Sequence, residues 1–448
     1  MNKIKNLPES YFLKLVFAFL TLAFLIAAFC MPDRGTMLSG LWQIVSQPSK
    51  ISTNYFDLGG YAATFLNAGL VGIFCLGLFC LPGAKANNAS TLAFILTLGF
   101  CSWGINILNM WPSVLGVMVY CLVKKEKLGA NVNAMLFSTG IAPLITDLLI
   151  RYPNAEVVGF NLPGVGLALF VGLIIGFFLP AGLAHSPKVH KGFDLYSAAL
   201  PIGMTAFFLN ATLYKTMGVA LPGVTSDLTV ANPVIANIFC GTVFGLCVIF
   251  ALILGCKPKD YWRLLTDPAL VTNFSSTYGN AVFLMNFGMF GLFILGYYNL
   301  IGATFNGVTF GIIFCMVSTC NSGSHPGNVW PIMAGYFVSS VVFGWLSTLA
   351  GGTFAGAINA QAICVGLCYA NGLSPIADKY GWQYGFIAAV MHYLLVTSVP
   401  TLHGGFCLYN GGFTAALICL ILVPELERFF KTKDERKEAK LAKKNTSV

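Results

Sequence analysis

"NAGLVGIFCLGLFCLPGAKAN" (residues 67–87) and "NFGMFGLFILGYYNLIGATFN" (residues 286–306) carry one spacing of Asn and Gly. Asn67 falls on Asn286, Gly69 on Gly288, Gly72 on Gly291, Gly77 on Gly296 and Gly83-Ala84 on Gly302-Ala303, at an offset of 219 residues. Without a gap, the same offset carries Asn109 onto Asn328, Trp111-Pro112 onto Trp330-Pro331 and Gly116 onto Gly335. The 50 positions from 67 to 116 hold 16 identities, more than a shared apolar composition supplies. After 13 extra residues, "GIAP" (140–143) meets "GLSP" (372–375), and "HKGFDLY" (190–196) then meets "HGGFCLY" (403–409). A duplication therefore covers nearly the whole chain, and a repeat on that scale sets the architecture.

The solvent comes next. The 448 residues are 57% hydrophobic and only 9% charged, where a soluble domain carries about 25% charged residues. A water-soluble fold of this composition would expose too much apolar surface, so the chain reads as an all-α polytopic membrane protein with lipid as a partner. The net charge of +9 lies in gaps between apolar runs: Lys3/Lys5, Lys124-Lys125/Lys127, Lys188/Lys191, Lys257/Lys259/Arg263 and the tail after Arg428. That is the pattern of charged loops rather than of a nucleic-acid stripe. The 14 cysteines are scattered singly through apolar segments and read as small buried hydrophobes.

About 20 apolar residues span a bilayer. Candidate spans fall at 11–31, 59–81, 89–107, 110–123, 130–150, 162–184, 195–215, 232–255, 279–301, 304–319, 329–346, 353–374, 383–401 and 405–424. The stretches 89–123 and 304–346 are the weakest, because their segments are short and close enough to be re-entrant. The organisation expected is an N-terminal repeat (1–220), a C-terminal repeat (221–424) and a basic cytoplasmic tail (425–448). Seven spans in each repeat is an odd number, which inverts the second copy, a common transporter plan. The Lys/Arg bias puts both termini in the cytoplasm. Lys85 lies in an inside gap, and its counterpart Thr304 lies in an outside one.

Several groups are candidates for chemistry. "NMWPSVLG" (109–116) and "NVWPIMAG" (328–335) place Asn109, Trp111 and Pro112 opposite Asn328, Trp330 and Pro331. Pro suits the first turn of a helix and Asn can cap it, so each copy presents either a substrate-facing helix start or a capped helix with an interfacial Trp. The second copy adds Asn321, Ser324 and His325, and His325 aligns with Asn106. His325 is either a binding or gating group or a structural histidine. Gly140/Pro143 fall near the middle of the fifth candidate span and Gly372/Pro375 near the end of the twelfth; interrupted helices at such paired places are the usual pointer to a transporter's site, and otherwise simple kinks or an interfacial break. Asn67 and Asn286 serve as helix–helix glue or as part of a polar site. Asp147 reads as the carboxylate inside a long apolar run and is the candidate for ion coupling, with Arg151 as its structural alternative. His392 is a second intramembrane titratable group.

No P-loop, HExxH, GxSxG or metal-ligand cluster occurs in the sequence, so no cofactor, metal or catalytic residue is expected. "NYFDLGGYAATFLNAGL" (54–70), "HPGNVWPIMAG" (325–335) and "HGGFCLYNGGFTA" (403–415) resemble the bacterial membrane family known as domain-of-unknown-function family 1576. That resemblance implies an integral protein of a bacterial cytoplasmic membrane and no particular activity. The expected function is a secondary transporter, or permease, for a small polar solute, coupled to a proton or sodium. A channel, an intramembrane enzyme and a membrane partner subunit are the alternatives. The protein is not expected to be an enzyme.

Overall fold

The computed structural model describes residues 7–223, 226–267 and 273–445; Lys3 and Lys5 lie outside them. Every regular element among the described residues is helical. The first half contributes α1 (Glu9–Cys30), α2 (Met37–Ser46), α3 (Tyr61–Phe79), α4 (Asn88–Phe100), α5 (Trp111–Lys124), α6 (Val132–Ser138), α7 (Ala142–Ile150), α8 (Leu162–His190) and α9 (Ala199–Asn210). The second contributes α10 (Pro233–Ile253), α11 (Pro258–Thr266), α12 (Asn280–Leu300), α13 (Gly307–Val317), α14 (Pro326–Leu349), α15 (Gln361–Ala370), α16 (Ser374–Tyr380), α17 (Trp382–Val396) and α18 (Asn410–Phe429). The tail forms α19 (Lys433–Asn445). Among the described residues, seven helical segments are long and apolar enough to cross a membrane. Shorter apolar helices, α4, α5, α13 with its following turn, and α17, fill out the bundle.

The two halves repeat element by element. Single helical turns at Tyr55–Leu58 and Phe274–Thr277 stand 219 residues apart. Asn54 caps the first turn and Asn273 the second. Gly60 (φ 84°) and Gly279 (φ 90°) then lead into α3 and α12 in a backbone conformation that favours glycine. Asn87 caps α4 and Asn306 caps α13 in the same way. The first N–H groups of a helix have no partner within it, and at the buried Asn54 and Asn306 they need protein acceptors. That need explains why an apolar chain keeps an Asn at so many of its helix starts.

The core is built on α4 and α13, whose residues are almost all buried. The two run antiparallel. A Cβ added to Gly307, at the start of α13, would lie 2.5 Å from the Ser102 carbonyl just past the end of α4. At the other end Asn321, just past α13, donates to Thr91 Oγ1 near the start of α4 at 3.1 Å. Midway, bare glycine backbones meet: the same test puts a Cβ on Gly99 2.6 Å from the Gly311 carbonyl, and one on Gly311 2.4 Å from that of Gly99.

Three expectations need correction. Trp330-Pro331 does not open a helix: α14 begins at Pro326 and runs through Pro331, with His325 as its N-cap. Pro326 is preset for the first helical turn and loses no bonded N–H there, so it moves the start forward from the Trp-Pro pair. In the first half the helix does start at Trp111, but Met110, not Asn109, is the cap position. The bundle also does not end at 424, because α18 continues through Pro424 to Phe429.

Candidate functional site

Both halves contain a broken helix. Residues Thr139–Ile141 form a tight 3-10 turn between α6 and α7, and Asn371–Leu373 form its counterpart between α15 and α16. Pro143 and Pro375 each sit in the first turn of the following helix. The break is sealed by the opposite half. The Leu408 amide donates to the Gly140 carbonyl at 2.9 Å, and the Leu195 amide donates to the Gly372 carbonyl at 3.0 Å. A tyrosine accompanies each bond. A Cβ on Gly140 would lie 2.3 Å from Tyr409 Cδ2, and one on Gly372 would lie 2.7 Å from Tyr196 Cδ2. The glycines are thus required by close approach, and the two "GFxLY" segments are exchanged between halves.

Beside each break lies one hydrogen-bonded rung. In the first half the Asn109 amide donates to the Gly104 carbonyl (2.9 Å) and to Thr146 Oγ1 (2.9 Å), while Asn109 Oδ1 accepts the Asn106 N–H at 2.8 Å. In the second half the Asn328 amide donates to the Gly323 carbonyl (2.8 Å) and to Asp378 Oδ2 (2.6 Å), while Asn328 Oδ1 accepts the His325 N–H at 3.0 Å. The skeleton is the same. Asn106 and Thr146 are replaced by the titratable groups His325 and Asp378.

Asp378 lines a cleft of about 380 Å³, and the buried His325 stands beside it without lining the cleft. Asn328, Trp330, Trp382, Lys433 and Arg436 also line it. Arg436 hydrogen-bonds the Tyr380 carbonyl, which holds α19 against this mouth. Trp330 and Trp382 lie with ring centroids 5.9 Å apart at the rim. His325 is 1% exposed. Its Nδ1 accepts the Gly327 N–H at 3.1 Å, and its Nε2 lies 4.0 Å from Asp378 Oδ2 with no hydrogen bond among the described residues.

The other candidates take different places. Asn67 donates to the carbonyls of Cys101 and Ile105 at 2.9 and 2.8 Å; Asn286 donates to those of Cys320 and Ser324 at 2.8 and 2.9 Å. Both amides thus fasten the chain that follows α4 or α13. Asn321 bridges Thr91 and Ser275, and Ser324 Oγ approaches Ser374 Oγ at 3.4 Å. Trp111 packs on Phe74 with centroids 4.3 Å apart. Asp147 is fully buried and held by three groups: Arg151 Nε at 2.5 Å, Arg151 Nη2 at 2.6 Å and the Tyr214 hydroxyl at 2.6 Å. His392 is also satisfied. Its Nε2 faces the Gly411 carbonyl at 2.8 Å and so donates, which leaves Nδ1 to accept from the Tyr336 hydroxyl at 2.5 Å.

Asp147 is not the one carboxylate inside the bundle. Asp378 is nearly buried and Asp194 is 1% exposed. Asp194 Oδ1 accepts the Tyr196 N–H at 2.9 Å, and its Oδ2 has no hydrogen-bond partner among the described residues. The offset that joins Gly140 to Gly372 also joins Thr146 to Asp378, so Asp378 could have been found by comparing that rung. Asp194 sits in the quoted "HKGFDLY", but its burial depends on the other half and has no local signature.

Residues 34–215 and 256–428 match the family described as protein of unknown function (DUF1576). No curated protein and no solved structure matches the chain.

Proposed function

From a chain that belongs to domain-of-unknown-function family 1576, we propose a secondary transporter that moves a small polar solute by alternating access. The observation that carries this reading is the reciprocal seal between two broken helices: Leu408 on Gly140, Leu195 on Gly372. Broken helices at equivalent places in two repeats are where transporters put their sites. A contact made twice, once by each half, can open on one side while it stays closed on the other. The antiparallel packing of the equivalent helices α4 and α13 supports inverted repeats of seven spans each, with the shorter helices counted as spans.

The side assignment follows from the charges. Lys85, Lys127, Lys191, Lys379 and Arg436 belong to the end where Lys14 reaches the Ala84 carbonyl and Lys191 pairs with Glu427. Trp330 and the Asp378 cleft lie at that end. Trp111 lies at the opposite end, with the Asn106 contact to Ile44 and the Asp147–Tyr214 pair. By the positive-inside rule the lysine-rich end is cytoplasmic, in a bacterial cytoplasmic membrane, with both termini on that side. The cleft is then the inner mouth of the solute path, where Asn328 and the Trp330/Trp382 pair contact the solute.

The test is uptake into proteoliposomes by the full chain, with a panel of amino acids, monocarboxylates, sugars and nucleobases. Saturable uptake of one class above protein-free liposomes is expected. Flux without saturation indicates a channel, and absence of uptake across the whole panel overturns the proposal.

A further inference from the structure

The second-half rung makes its bonds with two titratable groups where the first half needs none. Its first-half counterpart builds the same hydrogen-bonded skeleton from Asn106, Asn109 and Thr146, with no ionisable side chain. Polar groups placed inside a bundle without a structural requirement point to function.

The tautomer follows from geometry. His325 Nδ1 accepts the Gly327 N–H, so the neutral ring carries its proton on Nε2. That N–H has no acceptor within hydrogen-bonding distance among the described residues, and it stands 4.0 Å from Asp378 Oδ2. Asp378 Oδ2 is already engaged by the Asn328 amide at 2.6 Å. Asp147 makes a useful contrast, because a bidentate guanidinium and a phenol fix its charge. Among the described residues no cation is hydrogen-bonded to Asp378; its ion-pair contact there is the 4.0 Å approach of His325. The charged and titratable groups around it are Lys433 and Arg436 on α19, Lys379 next in sequence, and Tyr278, whose hydroxyl donates to Asp267, itself paired with Arg263. The cations stand at the cleft mouth.

We propose that Asp378, with His325 as its positioning partner, is the proton-binding group that couples solute movement to protons at the inner mouth. This rests on the transporter reading and names its coupling ion. A proton supplied by water in the cleft forms an O–H bond on Asp378 Oδ1, since Oδ2 faces the Asn328 amide. The carboxylate loses its charge, and the pull on the His325 Nε2–H goes with it. Loss of the proton to water restores both. His325 stays neutral throughout, because its Nδ1 is occupied. The 4.0 Å gap closes when Asp378 is charged and relaxes when it is protonated, which shifts α16 relative to the start of α14.

The direct test is infrared difference spectroscopy of the full chain in nanodiscs across a pH series, reading the protonated-carboxyl stretch. In an Asp194→Asn background, which removes a second buried carboxyl whose Oδ2 has no hydrogen-bond partner among the described residues, a titrating band is expected, retained when Asp147→Asn is added, absent when Asp378→Asn is added, and moved by about one pH unit or more by His325→Gln. The double variant His325→Asn/Asp378→Thr reproduces the first-half rung; in the same background it is expected to fold with an unchanged unfolding midpoint and to lack the band. A band that survives Asp378→Asn, or a midpoint that His325→Gln leaves in place, overturns the proposal. Proteoliposome uptake driven by a pH gradient is read separately. Saturable uptake indifferent to the gradient removes proton coupling and leaves the transporter standing; a titrating Asp378 in a protein that moves no panel solute does the reverse.

Discussion

Asp147 and Asp378 lie one rung position apart in equivalent helices, α7 and α16, yet their surroundings give them opposite tasks. Asp147 is tied down by Arg151 and Tyr214. Removing the cation strands a buried charge, so Arg151→Met is expected to cost about 3–5 kcal/mol, read as a lower midpoint of thermal unfolding in detergent. The infrared titration of Asp378 should persist in that variant under conditions where it remains folded. Asn67→Ala and Asn286→Ala each leave two buried carbonyls without donors. Each should lose about 1–3 kcal/mol by the same assay, and to a similar degree, because the two sites are copies. Asn67 and Asn286 were legible in the sequence as a pair, and their helix–helix role was one of two readings. Asp378 has no carboxylate counterpart: at the 232-residue offset it falls on Thr146, so no repeated acidic residue marks it. Lys379 is the counterpart of Asp147, and the burial of the carboxylate beside it depends on Asn328, 50 residues earlier in the chain.

At the scale of the element, the broken helix is the informative unit. Gly-x-x-Pro marked both breaks, since Pro lacks the N–H that a continuing helix bonds and fits the first turn of the next one. The sequence placed the second break near the end of its segment; the structure puts it in register with the first, followed by a helix of similar kind. What no local pattern could disclose is the partner that seals each break, because Leu195 and Leu408 arrive from the other half. Close approach makes a sharp prediction. Gly140→Ala and Gly372→Ala drive a methyl into Tyr409 and Tyr196 and should each destabilise by about 1–3 kcal/mol. Gly296→Ala, where a Cβ meets nothing within 4 Å in α12, should be neutral or slightly stabilising. Equal effects at all three positions in a thermal-unfolding series would contradict the packing described.

For the whole molecule, duplication was readable from identities alone, and the membrane setting from composition. The inversion is open to a direct measurement. Lys85 and Thr304 are repeat counterparts and both exposed. In a background lacking the two exposed cysteines, Cys30 and Cys80, Lys85→Cys should react with a membrane-impermeant thiol reagent only from the cytoplasmic face. Thr304→Cys should react only from the other, and labelling of both from one face contradicts the inverted plan. The exchanged seal has a further consequence, for biosynthesis. At roughly 5–20 residues per second, the ribosome needs many seconds to travel from Gly140 to Leu408. Throughout that interval the nascent chain sits in the bilayer with one carbonyl unsealed and a groove awaiting its tyrosine. The protein therefore matures only at the end of translation, and a gene split between Gly218 and Gly223 should yield folded product when both fragments are made in one cell and neither when they are made apart.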